Sequence, residues 1–325
     1  MLLFSLAIIF GLIILIWSAD RFVSGAVATA LNLGMTPMMI GLTVVAFGTS
    51  APELIVSATA TLDNASHLAI GNAVGSNIAN IALVLGATAL ISAIPLKKAI
   101  LKVEFPVLMT ATFLATLLLI DGSLDSIDGL GLALILVISL LALAKLQNSP
   151  GGEIEEIEES KSISSKKAYT LLGVSIILLL ASSKLLVWGA VGIATELGVS
   201  KLVIGLTIVA IGTSLPELAA SIASALKGHH DLALGNIIGS NLFNLLAVLA
   251  IPALLHPSND GGIGLSDTLL YRDYALMLGL TFGLAAMVYF KHAIKKHSLG
   301  LIAGSLLLAI YLGYLYVLYQ QTLLS

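Results

Sequence analysis

Long apolar runs follow one another along the whole chain, separated by short polar connections. Runs of about 18 or more apolar residues match the length a helix needs to cross a hydrocarbon layer. The pattern predicts ten membrane-spanning helices. The first five run from Leu3 to Ala30, Met38 to Leu62, Leu68 to Ile91, Phe105 to Ile120 and Gly129 to Leu146. The second five run from Ala168 to Thr195, Val203 to Leu226, Leu232 to Leu255, Tyr271 to Phe290 and Leu299 to Tyr319. A transmembrane barrel would instead alternate over segments of about ten residues. The opening run MLLFSLAIIFGLIILIW has no basic leader and no small-residue cleavage site, so it is read as a retained span.

Composition agrees with the pattern. Of 325 residues 58% are hydrophobic and 10% charged, and the mean hydropathy is +1.06, far from a soluble domain. The expected class is an all-α membrane protein, multi-pass in the cell (inner or plasma) membrane, with the lipid bilayer as its surroundings. A net charge of -3 gives no reason to expect nucleic acid. Nothing in the sequence calls for an obligate protein partner or a cofactor. The absence of cysteine excludes disulfides, thiolate metal sites and cysteine nucleophiles.

The few basic residues orient the spans. Lys97, Lys98, Lys102, Lys145, Lys161, Lys166, Lys167, Lys227, Lys291, Lys295 and Lys296 all fall on one face of a ten-span arrangement. Only Lys201 and Arg272 fall on the other, so both termini are expected outside. The polar stretch from Ser149 to Lys167 divides the chain into residues 1–148 and 168–325. Its acid run lacks the ligand spacing of a calcium loop and is read as a solvated cytoplasmic linker.

The two parts are copies. Shifted by 164 residues, IGLTVVAFGTSAPELIVS at Ile40 aligns with IGLTIVAIGTSLPELAAS at Ile204, with 13 of 18 positions identical. AIGNAVGSNIAN at Ala69 aligns with ALGNIIGSNLFN at Ala233. Five spans per copy make the second enter the membrane from the opposite side. Such inverted repeats are a signature of secondary transporters, with binding near the midplane at broken helices.

The matched motifs carry the candidate chemistry. Pro52 has no amide hydrogen, so the carbonyl of Gly48 loses its helical partner. Gly48 eases unwinding, and Thr49, Ser50 and Glu53 add side-chain oxygens. Gly212, Thr213, Ser214, Pro216 and Glu217 repeat the set. The second motif adds Asn72, Ser76, Asn77 and Asn80, with Ser76 and Asn80 four apart on one helix face; Ser240 and Asn244 mirror them. The set is all oxygen and amide, without histidine or cysteine, which suits hard cations. Neither Lys nor Arg lies in the four motif spans to balance Glu53 and Glu217. One Ca2+ would neutralise both carboxylates, and so would two Na+ or two protons. A site balanced either way and costly to leave empty is an exchanger site.

These paired blocks, G-T-S-x-P-E and G-N-x-x-G-S-N, resemble the two alpha repeats of the calcium:cation antiporter superfamily, over residues 40–86 and 204–250. The short linker looks like the prokaryotic sodium/calcium exchanger type. The resemblance implies that Glu53 and Glu217 coordinate Ca2+, completed by the backbone carbonyls of Thr49 and Thr213. It implies sodium sites drawing on Ser50, Ser214, Ser76, Ser240, Asn80 and Asn244, and sliding of the long first and sixth spans. Some members carry an aspartate at a final motif position where this chain has Asn80 and Asn244. The function expected is therefore antiport of Ca2+ against Na+ by alternating access, with a proton or K+ as the alternative counter-ion.

Other classes fit less well. A cation channel usually draws its glutamate ring from several subunits. A hydrolase would need a nucleophile with a His or Lys partner, or an aspartate pair, and the motif spans lack both. Asp20, Arg21 and Lys184 are read as snorkelling or locally paired, with gating the alternative. His229, His230 and Asp231 are read as an exposed turn, and so are Asp121, Asp125 and Asp128. Trp17 and Trp188 are expected to pack within the protein.

Overall fold

The computed structural model describes residues 1–147, 163–198, 208, 210–256, 262–294 and 298–324. The linker up to residue 162, the first part of the expected seventh span, and Lys161, Lys201, Lys295 and Lys296 lie outside the described residues. Among the described residues the structure is all-α apart from two short strand pairs.

The helices follow the hydropathy pattern closely. They are α1 (Leu2–Leu33), the bent pair α2 (Pro37–Thr49) and α3 (Ala51–Leu62), α4 (Ser66–Ile91), α5 (Ile100–Leu118) and α6 (Ser126–Leu146). The second half has α7 (Ser165–Glu196), the short α8 (Ala210–Thr213), α9 (Leu215–Leu226), α10 (His230–Leu255), α11 (Leu269–Ala293) and α12 (Leu301–Gln321). Among the described residues eight helices are long and apolar enough to cross a membrane, or nine with α2 and α3 counted as one span. The counterpart of that bent pair is α8 and α9. The 12-residue α9 is apolar but too short to be counted by itself.

Burial sorts these helices into a centre and a rim. In α4 and α10, 72% and 83% of the most apolar window is buried, against 22% in α6 and α12. The sequence explains the order. The Gly, Ser and Asn residues of α4 and α10 let backbones approach and hydrogen-bond within protein, while the Leu-rich faces of α6 and α12 suit lipid. The approach is close: a Cβ added at Gly235 or Gly239 of α10 would stand 2.6 or 2.5 Å from the carbonyl oxygens of Met38 and Leu42 on α2. These contacts advance together along both helices, so α2 and α10 run parallel.

The long helices α1 and α7, 32 residues each, pack antiparallel: Gly11 lies against Leu186 and Gly25 against Leu172. Phe4 meets Trp188 edge to face, with ring centroids 4.9 Å apart, and near the other end Asn32 donates to the carbonyl of Ile163. Trp17 and Trp188 are about half exposed rather than enclosed. Trp17 carries the Arg21 guanidinium 5.7 Å above its ring, so each indole packs on a neighbour while about half its surface stays open.

The halves are interlocked. The last helix of each packs on the central helix of the other, α12 on α4 and α6 on α10. Strand β1 (Ile94–Pro95) pairs antiparallel with β4 (Ser298–Leu299), and β2 (Ser123–Leu124) with β3 (Ile263–Gly264). Each pair ties the segment after one half's central helix to the segment before the other half's last helix.

Candidate ion-binding site

The site forms where two helices break. α2 stops at Thr49, Ser50 leaves helical geometry at φ -82° and ψ 6°, and α3 restarts at Ala51 with a 41° bend. In the second half α8 stops at Thr213 and Ser214 takes nearly the same angles, φ -89° and ψ 4°, before α9. Pro52 and Pro216 sit at the start of the new helices, the position proline favours. Glu53 and Glu217 follow in the first turn of each. Each carboxylate therefore stands close to the positive end of a short helix, facing the middle of the fold.

Glu53, Glu217, Ser50, Ser214, Thr49, Ser240, Asn80 and Asn244 are all buried to 1% exposure or less, and Ser76 to 5%. Thr213 is half-buried. The structure links several of them across the halves. Ser50 Oγ donates to Glu217 Oε1 at 3.2 Å. Thr49 Oγ1 donates to Asn236 Oδ1 at 3.1 Å and lies 3.5 Å from Ser240 Oγ. Ser50, three residues before Glu53, thus ties the segment bearing one acid to the side chain of the other. Asn80 and Asn244 stand one turn beyond Ser76 and Ser240, each opening a π-helical turn (Asn80–Leu85 and Asn244–Val248). Such turns recur at functional sites.

Polar atoms at this centre remain unsatisfied. Among the described residues both carboxylate oxygens of Glu53, Oε2 of Glu217, Oγ of Ser214 and both side-chain polar atoms of Asn80 and Asn244 are buried without a hydrogen-bond partner. Unpaired buried polar groups cost on the order of 1–3 kcal/mol each, and charged ones more. Among the described residues these oxygens have no cationic side chain joined to them, a donor set whose chemistry suits a hard cation.

Three braces support the site; the sequence names Asn72 as a motif residue without this role, and does not single out Asn236 or Ser183. Asn72 Nδ2 donates to the backbone carbonyl of Glu53 at 3.3 Å. Its counterpart Asn236 Nδ2 reaches the carbonyl of Glu217 at 3.5 Å and Ser221 Oγ at 3.0 Å. The exact repetition of Asn72 as Asn236 was the available signal. The third brace breaks the symmetry: Ser183 Oγ on α7 donates to the carbonyl of Gly212 at 2.9 Å. The carbonyl that Pro216 orphans is thus capped, whereas Gly48 has Ala19 at the position matching Ser183. The expectation of freed carbonyls in both copies is corrected for Gly212.

Several other charged residues have local partners. Asp121 accepts from the amide and hydroxyl of Ser123, which lowers its pKa, and Asp125 caps the first amides of α6. These acids build a turn. Asp231 pairs with Lys97 at 2.9 Å. Arg272 is held by Asp273, which also accepts from Tyr314 at 3.0 Å.

Comparison with known proteins bears on the family and the fold. A family model described as sodium/calcium exchanger protein matches residues 3–145 and 167–320. The protein CaxA of Alkalimonas amylolytica is 44% identical over 327 residues, covering 99% of this chain and 100% of that one. The sodium/calcium exchanger MaX1 of Methanosarcina acetivorans is 29% identical over 353 residues, covering 97% and 98%. A solved structure of the sodium-calcium exchanger NCX_Mj superposes with a TM-score of 0.81 at 34% identity, covering 96% of this chain and 97% of that one.

Proposed function

Since the chain belongs to the sodium/calcium exchanger protein family, we propose that it is a secondary antiporter that exchanges Ca2+ for Na+ at the site between α2–α3 and α8–α9. The observation that carries this reading is the unpartnered set of Glu53, Glu217, Ser214, Asn80 and Asn244 oxygens and amides at the buried centre. Glu53 and Glu217 are assigned to Ca2+, with the backbone carbonyls of Thr49 and Thr213. Ser50, Ser214, Ser76, Ser240, Asn80 and Asn244 are assigned to Na+.

The mechanism follows from charge. Two buried carboxylates repel each other and are costly bare, so the protein changes face readily only when cations balance them. One Ca2+ supplies two charges, and two Na+ supply the same. Alternating occupancy then couples the flux of one ion to the other. Ten spans in two inverted halves, residues 1–148 and 168–325, with both termini outside, give the chain two equivalent ways to enclose the site. The antiparallel packing of α1 and α7 supports that inversion.

A calcium/proton exchanger is the second reading, and the amides of Asn80 and Asn244 favour keeping it, because two protons on Glu53 and Glu217 balance the site as well. Purified protein in Na+-loaded vesicles, with no pH gradient, should take up Ca2+. Uptake that appears only with an acid interior would transfer the assignment to protons.

A further inference from the structure

The two halves differ in one contact that reaches outside the site. Lys227 Nζ bridges Asp20 Oδ1 of α1 at 2.7 Å. It also donates to the Asp20 carbonyl at 2.8 Å and to Ser24 Oγ at 3.0 Å. Lys227 closes the C-terminal end of α9, and α1 packs along that helix. The 164-residue repeat maps Asp20 onto Lys184 of α7 and Lys227 onto Asp63, which closes α3 with nearly the same backbone angles. The mapped pair therefore has the same complementarity with its signs exchanged. In this structure that pair is apart: Lys184 and Asp63 are both exposed and join no ion pair among the described residues, and α3 and α7 scarcely touch.

We propose that Asp20–Lys227 and Asp63–Lys184 are two alternative latches, one on each membrane face, of which each conformation makes one. This rests on the alternating-access reading above. Exchanging the roles of inverted halves turns the α1–α9 contact into an α7–α3 contact. α1 and α7 approach backbone to backbone at Gly11 and Gly25, so they travel as one body. Movement that frees Asp20 from Lys227 carries Lys184 toward Asp63. The latches are unequal. Trp188 stands where Ser24 stands in the first half, so the Asp63 latch lacks the extra hydroxyl, and the Asp20 latch is favoured at rest.

The chain contains no cysteine, so introduced pairs are unambiguous. The variants Asp20→Cys/Lys227→Cys and Asp63→Cys/Lys184→Cys, in full-length protein in membranes, should each be crosslinked by a short bifunctional methanethiosulfonate. In the four-cysteine chain, locking one pair should exclude the other, read by mass spectrometry of the linked peptides. Linkage of both pairs in one molecule, or failure of the second pair to link at all, overturns the proposal. In the Asp20→Cys/Lys227→Cys background, Lys184→Gln should raise the crosslinking rate about two- to fivefold, the effect of losing one partly exposed ion pair. Asp63→Lys/Lys184→Asp should return it to the parent rate, which a merely structural role for Lys184 would not do. An unchanged rate with Lys184→Gln counts against the latch. Crosslinking does not depend on calcium flux, so exclusive linkage without Ca2+ transport would remove the ion assignment alone.

Discussion

Ser50 donates to Glu217 across the two halves at 3.2 Å, while its counterpart Ser214 has no partner and leaves both oxygens of Glu53 bare. The candidate centre is thus asymmetric although its residues are duplicated. The asymmetry has the same sense as the outer contacts, where α1 grips α9 and α7 stands off α3. Removing the Ser50 hydroxyl should weaken Ca2+ binding about tenfold or more, since a hydrogen bond to a charged group is worth about 1.5–3 kcal/mol. Isothermal titration of Ser50→Ala against the parent checks this.

Glu53→Gln and Glu217→Gln should each lower Ca2+ exchange by more than about a hundredfold, because a neutral amide removes half the charge that balances the ion. The same variants should melt no lower than the parent in calcium-free buffer, since each relieves the repulsion between two buried carboxylates. Added Ca2+ should raise the parent melting temperature and leave theirs nearly unchanged. Near-normal transport by both variants would refute the site.

Asn72→Ala and Asn236→Ala should reduce Ca2+ affinity while the protein still assembles. Asn236 should matter more, because it joins Glu217, Ser221 and Thr49, whereas Asn72 is seen to hold the Glu53 carbonyl. An expected loss of roughly three- to tenfold follows from one or two hydrogen bonds, readable as equilibrium binding of radioactive calcium.

Gly235→Ala and Gly239→Ala test the packing rather than the chemistry. The added methyl would meet backbone oxygens of α2 at 2.6 and 2.5 Å, and backbone cannot swing aside as a side chain can. Each should cost about 1–3 kcal/mol, seen as a lower melting temperature in detergent. Gly48→Ala should be milder, because its neighbour is the flexible tip of Ile176.

Much of this was legible because duplication prints each candidate residue twice. The spans followed from hydropathy, and the Glu53 and Glu217 pair followed from acids with no basic partner in their spans. The Asn72 and Asn236 braces were visible as repeated letters, but a letter does not say that an amide bends back to a carbonyl 19 residues away. Ser183 was beyond reach for the opposite reason: it breaks the repeat, replacing Ala19, and its target on Gly212 depends on how α7 lies beside α8. The Asp20 bridge needed the same information. Sequence allowed that acid to be snorkelling or locally paired, while only the packing of α1 on α9 brings Lys227 to it.

The length of α1 and α7 bears on the membrane itself. At 32 residues each they extend to about 48 Å, roughly 18 Å more than the hydrocarbon thickness. That surplus is slack. The pair can advance by a helical turn, about 5.4 Å, without drawing either end wholly into the lipid or stretching the bilayer around it. An antiporter of the proposed kind, sliding this pair with its own clearance, should turn over at similar rates in thin and thick membranes, which vesicles of graded acyl-chain length would reveal.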